Sequence, residues 1–391
     1  ADYIAYCAKN SDRVSVVEYG STNEGRPLLI ATITSPENHR IIDEIKRKHL
    51  SEIGLETSDL SILANDFSIV WLSFGVHGNE AGASESSINV LYQLTKSDKN
   101  GIDKWLDNTI VLLDPSLNPD GYNRYTQWVR GVSGKIAHPD LIDREHMEPW
   151  PGGRVNHYLF DLNRDWAWQT QVESQQRIRE YAKWMPHIHV DFHEMGYDDG
   201  YYFAPAAEPY HKHITDFQRD MQVDIGKNNA KYFDREGWLY FTREIFDLFY
   251  PSYGDTYPTF NGAVGMTYEQ AGHGMSGRAI TLSNGDTLTI QDRIDHHTKT
   301  ALATIEEASK QSSRINTNFR QYFQDAVDSP KGTYKSYVIK SSSKGDRLGD
   351  LLKMNNISFY RAKARKSLSG FSYLDGENKQ FTITDGDLIV N

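Results

Sequence analysis

The stretch Ser68–Gly75 (Ser-Ile-Val-Trp-Leu-Ser-Phe-Gly) is apolar at almost every position. A strand of that kind has no face to offer to water. It must lie inside a sheet covered on both sides, and such sheets are mostly parallel and flanked by helices. Strand-like and helix-like segments alternate around it. Val14–Tyr19, Leu28–Ile33, Thr109–Leu113, Ile188–Phe192 and Ala263–Tyr268 read as further strands. Ile41–Leu50, Ala83–Leu94, Gln171–Trp184, Ile214–Tyr232 and Ile290–Lys310 read as helices between them. Alternation over about 310 residues predicts an α/β fold with a mostly parallel sheet, whose ligands gather beyond the carboxyl ends of the strands.

Two regions depart from this rhythm. From Asp114 to Asp165 the chain is polar and rich in Gly, Pro, Asn, Arg and Trp. A connection of that length inside a compact domain is uncommon unless it is functional. From about Asp328 the segments shorten: Tyr334–Ile339, Ser358–Arg361, Phe381–Thr384 and Leu388–Val390 read as strands around one helix, Arg347–Asn355. The expected division is a catalytic domain over 1–325 and a small α/β appendage over 328–391. The region 328–391, which stops on a strand-like run at Asn391, reads as the start of a truncated further domain.

Composition narrows the partners. With 42 Lys and Arg against 53 Asp and Glu, the formal net charge of −11 disfavours nucleic acid and anionic lipid, both of which need a basic face. No run of about 18 apolar residues is present, so no membrane-spanning helix is predicted. Cys7 is the sole cysteine, which excludes an intramolecular disulfide and any thiolate zinc site; a metal would have to be held by His, Asp and Glu. No charged-then-apolar leader opens the chain, and Ala1 reads as a processed or trimmed start. The compartment is left open, a secreted or periplasmic location being preferred to a cytoplasmic one.

The chemistry starts where the buried strand stops. It runs directly into Val76-His77-Gly78-Asn79-Glu80, and the strand Ile188–Phe192 runs into His193. A His and a Glu two residues apart converge on one ion if the chain turns tightly between them, and Gly78 permits such a turn. Alone, a His-x-x-Glu is a weak signal; set after a buried strand, with a second strand tip delivering a histidine, it is much stronger. Two imidazoles and one carboxylate, with a fourth place for water, form a catalytic zinc set and not a closed structural one.

Five pieces stand in order along the chain: His77-Gly78-Asn79-Glu80, Asn118-Pro119-Asp120-Gly121, Asp161-Leu162-Asn163-Arg164-Asp165, Asp191-Phe192-His193 and Thr267-Tyr268-Glu269. In that order they resemble the zinc carboxypeptidases of the M14 type, over about residues 10–310. The resemblance implies a mixed, mostly parallel eight-stranded sheet sandwiched by helices, and one zinc ion per chain held by His77, Glu80 and His193. It also implies a peptide substrate with a free C-terminal carboxylate, gripped by Asn163 and Arg164, and Glu269 as the carboxylate that carries a proton from water to the leaving amine. A second arginine is needed for the developing oxyanion. Here the chain departs from the pancreatic pattern: no Arg-rich run follows Asn-Pro-Asp-Gly, and Arg154 is preferred, with Arg130 the second choice. Tyr250 and Tyr253 are candidates for the family's mobile capping tyrosine, and Gly254 or Asp255 for the residue at the pocket floor.

Asp191, on the same strand face as His193, is a candidate to orient that ring. His211, His213, His296 and His297 read as solvated helix residues, and His273 as a loop histidine. Two other functions compete with carboxypeptidase action: a related zinc amidohydrolase acting on cell-wall peptides or N-acyl amino acids, and a non-catalytic binding module on the same scaffold. The small deacylases are disfavoured by chain length, and the dead module by Glu269.

Overall fold

The computed structural model describes residues 1–57, 66–96, 101–328 and 333–391. They form two compact units, Ala1–Gln324 and Asp325–Asn391. In the first, eight strands build one sheet: β1 (Val14–Ser21), β2 (Pro27–Ile33), β3 (Ser68–Phe74), β4 (Thr109–Asp114), β5 (Ile188–Met195), β6 (Tyr201–Tyr202), β7 (Tyr240–Phe241) and β8 (Val264–Ala271). Their order across the sheet is β1-β2-β4-β3-β5-β8-β6-β7. The central four, β4, β3, β5 and β8, are mutually parallel. The pairs β1–β2, β2–β4 and β8–β6 are antiparallel. The sheet is therefore mixed and mostly parallel, as expected.

Strand β3 is buried at all seven positions, which is what its apolar sequence requires. Its alternate residues feed two cores. Val70, Leu72 and Phe74 pack with Val90, Leu91 and Leu94 of helix α1 (Ala81–Thr95), and with residues of two long helices, α4 (Asp216–Glu236) and α5 (Ile290–Lys310). Ile69 and Trp71 face the other way, towards Ile178 and Tyr181 of α3 (Val172–Ala182) and towards Phe319. Helices thus cover both faces of the sheet. Among the described residues, no helix is long and apolar enough to cross a membrane.

From β3 the chain crosses to β4 on one side, whereas β5 leads to β8 on the other. The carboxyl ends of β3 and β5 therefore border a crevice that neither crossover covers, the place where α/β sheets bind ligands.

The segment 114–165 is less irregular than its composition suggested. It contains helix α2 (Pro119–Val132), started by the side chain of Asn118, which accepts from Gly121 N at 3.0 Å, with Pro119 in the first turn. The fully buried positions of α2 are Asp120, Gly121 and Tyr125, with Tyr122, Trp128 and Val129 half-buried beside them.

The second unit holds a three-stranded antiparallel sheet (Tyr337–Ile339, Leu388–Val390, Phe359–Arg361), a helix at Ser343–Met354, and a hairpin of Lys366–Ser372 with Glu377–Ile383. The hairpin's first strand was not anticipated. Its sequence, Lys-Ser-Leu-Ser-Gly-Phe-Ser, has weak apolar alternation.

Candidate active site

The chain leaves β3 through Gly75, whose φ of +62° only glycine takes without strain. It then turns through His77 and Glu80 into α1. Gly78 serves this turn by bareness: a Cβ there would meet Tyr122 N at 2.0 Å and Gly153 O at 2.7 Å. It is the close approach of two backbones, and not an unusual φ at this residue, that demands glycine here.

His77, Glu80 and His193 converge. His77 Nδ1 lies 2.7 Å from Glu80 Oε1. His193 Nδ1 lies 3.2 Å from Glu80 Oε2 and 3.2 Å from His77 Nδ1. One donor atom from each residue falls within 4.8 Å of the others, and all three side chains are buried. Each imidazole is fixed from behind through its other nitrogen. His77 Nε2 meets Asp161 Oδ1 at 3.0 Å and His193 Nε2 meets Asp191 Oδ2 at 2.7 Å. Glu80 is steadied by the backbone N–H of Glu194, which donates to Oε2 at 3.0 Å.

Two rings aim Nδ1 inward, with carboxylates holding their outer nitrogens, as in metal centres whose ligand tautomers are set by hydrogen-bonded acids. The charges agree. Burial alone would raise the Glu80 carboxyl, but the charges and hydrogen bonds of His77 and His193 hold it well below the usual range. Burial would likewise lower His193, yet Asp191 and Glu80 push it well up. A buried cluster so rich in carboxylate calls for positive charge at its centre, and the donor set fits a divalent ion of the zinc type.

Parallel pairing sets Glu269 of β8 directly beside His193 of β5. Glu269 is 9% exposed and lines the same cleft of about 440 Å³ as the three cluster residues. Burial pushes its carboxyl up to about 8, the charge of His193 working against this and those of Glu80 and Asp191 with it.

The segment after α2 supplies the cations. Arg154 donates to Asp161 Oδ2 through Nε at 3.2 Å and Nη2 at 3.0 Å, and its Nη1 is 3.5 Å from Glu80 Oε1. Arg164 is half exposed, and its guanidinium lies 4.6 Å above the Tyr253 ring. Its Nη1 donates to Asn163 O at 3.3 Å and lies 3.9 Å from Asp161 Oδ2, and the side chain lines the cleft. Asn163 is buried and accepts from Gly254 N at 2.8 Å, linking this segment to the loop before β8. Below it, Trp166 packs 3.8 Å from the guanidinium of the fully buried Arg177.

Of the remaining expected residues, Arg130 is exposed on α2 and does not line the cleft. Tyr253 lines it; Tyr250 stands behind, with its hydroxyl accepting from Trp168 Nε1 at 2.8 Å. Asp255 faces the cleft, accepting from the hydroxyls of Thr256 and Thr267 at 2.9 Å each, and burial lifts it to about 6. Gly254 cannot line a floor with a side chain, because a Cβ there would fall 2.1 Å from Asp191 Oδ2.

Two assignments change. His297 is fully buried against the Tyr201 hydroxyl at 2.8 Å, and His296 meets Gln270 Oε1 at 2.6 Å, so neither is a solvated helix residue. Their helix packs on the sheet at its start as well as along its apolar stripe. Glu194, next to His193 in β5, is committed to Arg293 at 2.9 Å. Asp161 carries a role the sequence reading did not give it; its place two residues before Asn163 was the available signal.

A cleft at the carboxyl ends of parallel strands, holding two histidines, a buried carboxylate between them, a further buried carboxylate and two arginines, fits a metallohydrolase site on an α/β scaffold. The family model for zinc carboxypeptidases matches residues 2–225, more than half of the chain. The chain belongs to the zinc carboxypeptidase family. His77, Glu80, Arg154, Asn163, Arg164 and His193 fall inside the matched span, and Glu269 beyond it.

Among solved structures, a metallo-carboxypeptidase from Burkholderia cenocepacia superposes with a TM-score of 0.55 at 15% identity, covering 79% of this chain and 68% of that one. A metallo-carboxypeptidase from Pseudomonas aeruginosa gives 0.52 at 11% identity, covering 80% and 68%. These likenesses establish the fold. Carboxypeptidase 2 of Trichophyton rubrum is 28% identical over 139 residues, 36% of this chain. That match spans about a fifth (20%) of the curated relative's length.

Proposed function

We propose that this protein removes C-terminal amino acids from peptides, with zinc held by His77, Glu80 and His193. The observation that carries the reading is the register of β5 and β8, which sets a buried carboxylate, Glu269, beside a ligand histidine in a cleft flanked by Arg154 and Arg164. A bound zinc ion would polarise the scissile carbonyl and make water acidic enough to attack near neutral pH.

The chain's own groups supply the rest. Arg164 takes the terminal carboxylate in parallel hydrogen bonds, its plane fixed by the Tyr253 ring. Asn163 adds an amide beside it. Glu269 takes a proton from the attacking water and delivers it to the amine as the peptide C–N bond breaks. Arg154 donates to the carbonyl oxygen as charge grows there. Asp161 and Asp191 keep the two imidazoles pointed inward, and Tyr253 covers the substrate end of the cleft. Attack by water is direct, with no covalent intermediate.

The test compares one peptide with a free C-terminus and the same peptide amidated. Removing a charge-assisted bidentate contact costs about 2–3 kcal/mol, or roughly 30- to 150-fold in kcat/KM. Arg164→Ala should shrink that preference, whereas Arg154→Ala should slow both substrates alike. Equal cleavage of the two peptides by the wild type overturns the carboxypeptidase reading and leaves a zinc amidohydrolase in its place.

A further inference from the structure

The turn that follows β8 presents a side chain that the reaction above does not use. His273 stands between Gly272 and Gly274 at φ +54°, a left-handed conformation that a residue with a Cβ enters only under constraint. The constraint is visible on both sides. Gly272 N donates to Met195 O at 3.0 Å, and Ser276 Oγ donates to Gly272 O at 2.7 Å. Met275 O lies 2.6 Å from His146 Nδ1. At Gly274 a Cβ would strike Asn79 Nδ2 at 2.6 Å, so the turn is pressed against the loop that carries the metal ligands.

Held in this way, the His273 imidazole lines the cleft and makes no hydrogen bond with any described residue. Burial lowers its affinity for protons. A neutral ring offers one donor and one acceptor, the same pair that a peptide main chain offers.

The turn that carries His273 lies against Asn79 and Glu148, where a Cβ at Gly274 would fall 2.6 and 2.8 Å from their side chains, and Glu80, Arg154, His77 and Glu148 are among the charged groups acting on the ring. Arg164, Tyr253 and Asp255 gather instead around the Asn163–Gly254 link. If Arg164 holds the terminal carboxylate and Arg154 the scissile carbonyl, the substrate must leave the cleft on the His273 side. We propose that His273 is a substrate-binding residue for the main chain upstream of the scissile bond, which makes the enzyme favour peptides over single acylated amino acids. This rests on the carboxypeptidase reading, and the wild-type comparison of free and amidated peptide tests that reading separately.

The experiment uses two substrates with the same C-terminal residue: a tetrapeptide, and an N-butyryl amino acid with only an alkyl group upstream of the scissile carbonyl. His273→Gly should lower kcat/KM about 10-fold on the tetrapeptide and less than about 2-fold on the acyl amino acid, the scale of one hydrogen bond. Its melting temperature should hold or rise, because glycine accepts φ +54° without strain. His273→Gln, which keeps a donor and an acceptor, should recover part of the tetrapeptide rate. An equal fall on both substrates overturns the proposal, and so does an unchanged rate on the tetrapeptide.

Discussion

The two units of this chain treat charge in opposite ways. Residues 325–391 contain 11 Lys and Arg against 8 Asp and Glu, a net of +3, so the preceding 324 residues carry −14. In the larger unit many ionisable groups are buried and pressed together, as at Glu80, Asp191, His193, Glu194 and Glu269. In the smaller one, pairs such as Lys353–Asp350 and Arg361–Asp346 lie on the surface, where an ion pair contributes about 0–1 kcal/mol. Its fully buried apolar side chains, among the described residues, are Ile383 and Leu388. Displaced proton affinities and convergent acids mark a reactive site. The larger unit has them, and the smaller unit's one strongly displaced acid, Asp387, is an architectural brace.

The largest effect should come from the ligands. His77→Ala or His193→Ala should strip bound zinc and reduce hydrolysis to background, checked by metal analysis of purified protein against about one zinc per wild-type chain. A chelator should do the same reversibly. If both variants keep stoichiometric zinc, the ligand set lies elsewhere and the contrast between the units loses its basis.

Next, Glu269→Gln should leave zinc content and melting temperature near wild type while turnover falls by at least about 100-fold, the usual scale for a general base. The same change of charge in the small unit, Asp350→Asn, should leave turnover unaltered. Comparable losses in both would mean that the units do not divide the work as proposed.

A third expectation concerns acid. His49 is buried against Met185 O at 2.8 Å, and burial lowers it to about 4 although that carbonyl pulls the other way. Its folded value lies below the ~6.5 of an unfolded histidine. The contribution is therefore complete above about pH 6.5 and is lost as pH falls towards 4, amounting to up to about 3 kcal/mol. Denaturant midpoints measured between pH 7 and 4 should fall steeply for wild type and less for His49→Gln. Parallel curves would show that this histidine does not set acid stability.

The smallest effect belongs to Asp387. It accepts from the backbone N–H of Ser341 at 2.9 Å and of Thr384 at 2.8 Å, and pairs with Lys340. Burial would raise it, but Lys340 and those N–H groups hold it down to about 2. With the folded value depressed, its contribution is present above about pH 4 and lost as pH falls towards 2. Asp387→Asn should cost the small unit about 1–2 kcal/mol at pH 7, read from exchange protection of its amides, with catalysis untouched.

Much of this was legible in advance because periodicity and burial go together. Ser68–Gly75 could only be a strand covered on both sides, and its tip could only deliver His77 and Glu80 to a carboxyl edge. Helix α2 was missed although Tyr122, Tyr125, Trp128, Val129 and Val132 recur every three to four residues, because the Gly, Pro, Asn and Arg interspersed with them made the segment read as a loop. The burial of His296 and His297 was missed for a different reason: a helix in a crowded layer buries polar residues that a sequence pattern assigns to solvent.

The sequence by itself determined the alternation of strand and helix, the want of a second cysteine for a disulfide, and the ordered motifs that carry the family resemblance. It did so because these follow from residue type and local spacing. Only the tertiary structure decided which acids stand behind the ligands, since Asp161 and His77 are 84 positions apart and meet across the cleft. It also put Tyr253, Arg154 and His273 on the wall of the cleft and left Tyr250 and Arg130 off it. Direction in space depends on packing between distant segments, and one-dimensional spacing does not record it.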